Sequence, residues 1–409
     1  MCRWQRIILV AGISALAVPN LHAQKLTEKQ ALFRMREEHP KAHLLDLAVH
    51  EFEANTRERS LLTNPTVDYT RENTALGVDN FFTVTQELPI RGHLGLLGKA
   101  AGQATTAVRA RTVADMLAFE TSLRLAFTDL QLAQENFDLL KSRLAELSRL
   151  VDVLRTREKE GEGSRFDLLR AEREVANIKA DMETSKINRL RAQIDLASYF
   201  APGSDPTGLE AADWLIDNSA IPNLDVLLAN ALINRPDYRA LTLGHARWET
   251  ERRAAKRLRL PGASLSAGLK RTRSLAINDS GYALTASVTV PLFNRGQAQV
   301  ARAEAARTRI STEQLLLRTR IKSEVREAHA VASKYTALAL RYRTESVELA
   351  NELVSIATTA YEEGEYGILE LLDAHSVNLE TEQRLQELSA AACRALIHLD
   401  QAIGRRRMP

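Results

Sequence analysis

A short glycine turn that occurs twice constrains this chain more than any other feature. At Gly161 the sequence reads GEGSRFDLLRA and at Gly364 it reads GEYGILELLDA. The two align without a gap, with Leu168 and Leu169 on Leu371 and Leu372 and the acids Asp167 and Glu370 in register. Each turn closes a very long stretch free of proline and almost free of glycine, such as His93 to Glu160. A helix of about 65 residues reaches on the order of 100 Å, far longer than helices of ordinary globular domains. The pattern predicts two long helical hairpins, each bent back at a tip.

The composition agrees. Aromatic residues make up only 5% and prolines number 11, while Ala, Leu, Glu, Arg and Gln abound, as in long helices and coiled coils. Leu140, Leu144, Leu147, Val151 and Leu154 recur at four-three spacing, the seam of a coiled coil. One compact core is therefore not expected.

Arg3 and Arg6 precede an apolar run from Ile7 to Val18, and Leu21-His22-Ala23 follows it. This reads as a secretory signal over residues 1–23, too short to span a membrane as a helix. Cys2 lies before the apolar core, away from a lipid-attachment position, and removal of the signal leaves Cys393 as the only cysteine, which excludes an intrachain disulfide. The formal charge, +3 for the whole chain, falls to near neutrality without Arg3 and Arg6, so nothing points to nucleic acid. No later stretch of about 18 apolar residues exists, so any membrane part must be made of strands.

Those strands are visible. TVDYTR after Asn64-Pro65 and FFTVTQEL before Pro89 are extended runs around a polar break from Asn73 to Asp79. Tyr282, Leu284, Ala286, Val288 and Val290 alternate with Ala283, Thr285, Ser287 and Thr289, while Leu265, Ala267 and Leu269 alternate with Ser266, Gly268 and Lys270. Such alternation fits either a half-buried soluble sheet or a barrel strand with lipid on one side and water on the other. Four strands cannot close a barrel, because spanning strands tolerate no open edge and barrels begin at about eight, so a spanning chain must oligomerise; three copies give twelve strands.

The second half repeats the first. Pro236 and Pro261 stand as far apart as Pro40 and Pro65, and Pro291 and Gly364 follow Pro89 and Gly161 at nearly the same offset. The expected organisation is a first repeat at 24–200, with a helix from Leu26 to about Leu62, hairpin 65–89, long helix 93–160, tip 161–166 and a return helix. A proline- and glycine-rich linker follows at 201–223, with Trp214, expected to pack as an irregular collar. The second repeat spans 224–404, with hairpin 261–291, long helix 296–363, tip 364–369 and a return helix. A basic tail at 405–409, led by Arg405, Arg406 and Arg407, is expected to be flexible and solvated.

This duplicated plan, together with Pro89-Ile90-Arg91-Gly92 and Pro291-Leu292-Phe293-Asn294-Arg295-Gly296 at the strand-to-helix joins and the two tip turns, resembles the outer-membrane efflux family typified by TolC, over nearly all of Leu26 to Ile403. The resemblance implies a mainly α chain with a small β part. Three copies would form a transmembrane β-barrel with four strands from each, joined to a long periplasmic α-helical barrel ringed by a collar. It implies an outer-membrane location with a large periplasmic part, contact with outer-membrane lipid, and docking to a periplasmic adaptor, or membrane fusion protein, and an inner-membrane pump. LLTNPTVDYTREN with TVTQELPIRG looks most like the branch associated with heavy-metal export by resistance-nodulation-division pumps.

The resemblance also implies site residues. Acids just past the second tip, Glu370 and Asp373, would close the periplasmic end; three apart, they share a helical face. Asp167 from the first tip would lie close by, and Tyr361, which continues the seam Val347, Ala350, Val354 and Ala357, matches a tyrosine whose hydrogen bonds hold the tip shut. The family's basic partner two residues after the turn glycine is absent, since Tyr366 stands there. The adaptor would meet the tips at Gly161, Gly163, Ser164 and Phe166 and at Gly364, Tyr366 and Gly367. His39 and His43, four apart, could share a helical face, but no third ligand is near; no metal site, cofactor or catalytic residue is assigned. The expected role is a passive export channel for metal ions or drugs, the alternative being a secreted periplasmic coiled-coil scaffold or adaptor without a pore.

Overall fold

Pro40 starts a helix instead of sitting within one. The computed structural model describes residues 24–75, 77–212, 221–274 and 278–406; the signal segment at 1–23, Trp214 and Arg407 lie outside the described residues. Strand β1 (Gln24–Leu26) leads into α1 (Glu28–Glu38), whose N-cap Thr27 forms a capping box with Gln30. Helix α2 (Pro40–Arg57) follows at once, so the helical stretch expected from Leu26 to about Leu62, with an early turn near Pro40, is two helices that meet there. The physical reason lies at His39, held extended by the following proline.

A hairpin of β2 (Thr66–Thr74) and β3 (Gly77–Leu88) leads to α3 (His93–Lys159), 67 residues without interruption. α4 (Arg165–Ala197) returns along it. The linker is not all irregular: β4 (Leu209–Ala211) pairs in parallel with β1. The second repeat then runs through α5 (Leu224–Asn234), α6 (Pro236–Arg257), β5 (Gly262–Arg273), β6 (Asn278–Thr289), α7 (Gln297–Tyr342), α8 (Glu348–Glu362) and α9 (Ile368–Ala402). Between α7 and α8 five residues, Arg343–Val347, wind as a π-helix, which interrupts the long helix expected over 296–363 and has no counterpart in α3.

Three separate cores replace a single one. One joins β1, α1, the middle of α3, the end of α4 and β4 around Leu32, Leu123, Leu130 and Phe200. A second joins α5, the middle of α7 and the end of α9 around Ile321, Val325 and Ala332. The third lies toward the tips, where the leucine seam of α3 meets α4, α8 and α9. Buried charges knit the chain's ends to its middle: Arg124 donates to Glu28 at 2.8 Å and to Asp400 at 3.0 Å, and Glu120 accepts from Arg36 and from Arg406. The start of the basic tail is thus pinned, not free, because Arg406 supplies a cation that buried Glu120 requires.

The four longer strands form one antiparallel sheet in the order β2-β3-β5-β6. Pairing carries the strands beyond the apolar stretches, and the polar break expected at Asn73–Asp79 shrinks to a tight connection between Thr74 and Gly77. Residues opposite one another share a face. One face carries the rows Val67-Val84-Ala267-Leu284 and Tyr69-Phe82-Leu269-Tyr282. The other carries Thr66-Thr85-Ser266-Thr285 and Asp68-Thr83-Gly268-Ala283. The apolar face is bare, with Tyr282 83% and Leu284 70% exposed, and every residue of the edge strands β2 and β6 is exposed. Among the described residues no helix is long and apolar enough to cross a membrane.

Candidate functional site

Both hairpin tips end their first helix in the same way. After α3, Gly161 N–H donates to Glu158 O and Glu162 N–H to Arg157 O; after α8, Gly364 N–H donates to Tyr361 O and Glu365 N–H to Ala360 O. These are paired Schellman turns, and the glycines take φ of 82° and 78°, a left-handed conformation that side chains disfavour. The chain then runs extended through Ser164 or Gly367 into the next helix, which places Phe166 in the first turn of α4. Gly163 packs so tightly that an added Cβ would lie 2.7 Å from Glu158 N, whereas the second tip carries Tyr366 at the matching place. Phe166 and Tyr366 are 61% and 45% exposed, so each tip presents an aromatic ring to solvent.

Tyr361 is half-buried in the tip core, and burial is the main cause that raises its hydroxyl above the ordinary value. The charge of Arg157 opposes that shift, and the charge of Asp167 adds to it. The structure thus brings Tyr361 of α8, Asp167 of α4 and Arg157 of α3 together.

Glu370 and Asp373 stand in the first two turns of α9, both exposed, while Leu371 and Leu372 between them are buried in the tip core. Glu370 folds back over its own helix start, with Oε2 3.0 Å from where a Cβ on Gly367 would lie, which suits a carboxylate at a helix N-terminus. Neither acid makes an ion pair among the described residues.

Farther from the tip lies a cluster that sequence reasoning missed. Arg143 of α3 is buried and donates to Glu146, to Asn378 and, at 2.6 Å, to Nδ1 of His375; Asn378 in turn donates to Asn351 of α8 at 2.8 Å. A guanidinium only donates, so His375 accepts through an unprotonated Nδ1. Burial first, then the Arg143 charge, holds His375 below its ordinary value, against the opposing pull of Glu146. The available signal was Asn378, an amide seven residues beyond Leu371 where the seam calls for an apolar side chain.

His39 and His43 do not share a helical face. His39 is the N-cap of α2, outside its helical turns, and its Nδ1 accepts from Lys41 N–H at 3.0 Å. Among the described residues no cluster of three or more potential metal ligands occurs.

Residues 227–405, the second repeat, match the family described as outer membrane efflux protein. No curated protein matches the chain in sequence. Solved structures are similar over nearly the whole length. VceC of Vibrio cholerae, an outer membrane protein, is 17% identical with a TM-score of 0.70, over 92% of this chain and 96% of its own. The open-state outer membrane channel MtrE of Neisseria gonorrhoeae is 17% identical with a TM-score of 0.71, over 99% and 97%. CusC, described in connection with transmembrane channel formation, is 17% identical with a TM-score of 0.73, over 93% and 92%. The resemblance read from the sequence is borne out, and the fold of the whole chain is that of these outer-membrane channels.

Proposed function

With the channel fold over the whole chain and the efflux family's own pattern over residues 227–405, we propose that three copies of this protein form the outer-membrane duct of a tripartite efflux system. The duct is passive: it provides a water-filled path and a gate, and the partner pump supplies the energy. The observation that carries this is the sheet. Its two edges are unpaired, one face is apolar and bare, and the other is lined by threonine, serine and acids. A lone four-stranded sheet of this kind is an aggregation hazard in water, while closure with two further copies removes both edges and sorts the faces to lipid and lumen.

At the periplasmic end, Glu370 and Asp373 from three chains form a ring of carboxylates, with Tyr361, Arg157 and Asp167 as the latch between the two hairpins of one chain. Crowded like charges resist full ionisation and favour a bound cation. The tips, with Phe166 and Tyr366 exposed, receive a periplasmic adaptor, which shifts the population toward the open state. The sequence around the first hairpin favours a resistance-nodulation-division pump and metal ions as cargo, with drugs as the other cargo class. The deciding experiment is single-channel conductance of the detergent-purified protein with its mass measured in the same preparation. A trimer with cation-preferring pores is expected; a soluble monomer or dimer without conductance refutes the duct and favours a periplasmic scaffold.

A further inference from the structure

The outer end of the sheet sorts its charges by face. Beyond the row Tyr69-Phe82-Leu269-Tyr282, the next rows on the same face are Arg71-Asn80-Arg271-Ser280 and Asn73-Val78-Arg273-Asn278. On the opposite face at the same level stands Glu72-Asp79-Thr272-Asp279. The arginines therefore all lie on the apolar face and the acids all on the polar one, although Arg71 and Glu72 are neighbours in one strand. A merely solvated rim has no reason to separate the two signs.

Arg71, Arg271 and Arg273 are exposed and make no ion pair among the described residues. Lys270, next to Arg271 in sequence, differs: it points to the polar face and pairs with Asp79 at 2.9 Å. Closing the sheet onto further copies does not supply partners, because residues that come together across β2 and β6 share a face, and these rows carry no carboxylate. The connecting segments, Ala75-Leu76 and Ser274 to Ile277, contain no acid either. The protein itself thus offers these three cations no carboxylate on their face.

Their depth suits an anion supplied by the lipid. Tyr69 hydrogen-bonds Asn80 in the arginine row through its hydroxyl at 2.9 Å, so the aromatic row ends where the polar zone begins. Aromatic side chains mark the membrane-water interface, and two residues farther along a strand is about 7 Å, the level of lipid phosphates. A guanidinium in hydrocarbon is costly but near the interface costs little, and there it matches a phosphate with paired hydrogen bonds.

Resting on the outer-membrane reading above, we propose that Arg71, Arg271 and Arg273 form a belt around the outer rim that binds the phosphates of the phosphorylated glycolipid, lipid A, of the outer leaflet. The polar face of the same rim stays acidic and free for cationic cargo.

The test uses the purified full-length protein with lipid A, dephosphorylated lipid A and inorganic phosphate as probes. Wild type is expected to bind lipid A about tenfold or more tightly than dephosphorylated lipid A, and millimolar inorganic phosphate is expected not to displace it. The triple variant Arg71→Gln, Arg271→Gln, Arg273→Gln is expected to lose that preference, and the corresponding lysine variant to keep part of it. Equal wild-type affinity for the two glycolipids overturns the proposal without any variant, as does an unchanged preference in a folded glutamine variant or displacement by free phosphate. Conductance is recorded on the same samples. Pores without phosphate-dependent lipid binding refute the belt alone, whereas absence of trimeric pores refutes the duct itself.

Discussion

Leu284→Arg places a charge on the apolar face, and the sheet geometry gives the cost. Leu284 lies four residues from Ser280 in the arginine row and four from Val288 near the helical end. At about 3.4 Å per residue and a tilt near 40°, Leu284 stands roughly 10 Å below the arginine row and about 5 Å inside the aromatic row, within the lipid-facing band and above its centre. An arginine between the interface, where it costs about 0–1 kcal/mol, and the midplane, where it costs about 2–4, costs on the order of 1–3 kcal/mol per chain, or roughly 3–9 kcal/mol for a trimer. Thr285→Arg, one residue on, points to the polar face and is expected to cost no more than about 0.5 kcal/mol, as at an ordinary solvated surface. Denaturant unfolding of protein reconstituted into liposomes, with heat-sensitive trimer mobility in parallel, measures both. If the two variants lose equal stability, or neither loses any, the face does not meet lipid and the barrel reading is wrong.

Other outcomes concern the tips. Tyr361→Phe deletes the hydroxyl that meets Arg157; at about 1 kcal/mol per chain, the open population of a concerted trimer should rise more than tenfold, visible as higher mean conductance. Replacing Glu370 and Asp373 by Ala should raise conductance and weaken block by divalent cations, and unchanged block would remove the proposed carboxylate ring. His375 is held below its ordinary value of 6.5, so its stabilising contribution is complete above that pH and is lost as pH falls through the depressed value. Denaturation midpoints should therefore drop as pH falls below about 6.5 in wild type, with a shallower drop in His375→Gln.

The hairpins, strands and repeat were legible because each rests on local periodicity: Leu140 to Leu154 at helical spacing, Tyr282 to Val290 at strand spacing, and glycine at each reversal. Strand lengths were less so. Backbone pairing continues through Asp79, Thr272 and Asp279 regardless of polarity, so the end of the apolar run does not mark the end of the strand. His39 was misread because spacing alone cannot tell a helical pair from a cap followed by proline. Arg157 and Arg143 were invisible for a different reason. Each is an ordinary surface arginine in the pattern of α3 and gains its role only where another part of the chain, distant in sequence, packs against it.

Those two arginines explain why the repeats are alike in plan but not in use. In the first hairpin α3 is unbroken for 67 residues, a rigid strut. In the second, the π-helical turn at Arg343–Val347 divides the corresponding helix, and such turns are common points of bending. Below that turn, toward the tip, α8 and α9 are held to the strut at two polar places: Asn351 and Asn378 through Arg143, and Tyr361 through Arg157. Apolar packing alone would let one hairpin slide against the other at little cost, whereas the buried Arg143 guanidinium, bound to specific partners, has discrete states, bonded or not. In the proposed duct the second hairpin is the movable member, the π turn its hinge, and the Arg143 cluster the contact that opening has to break.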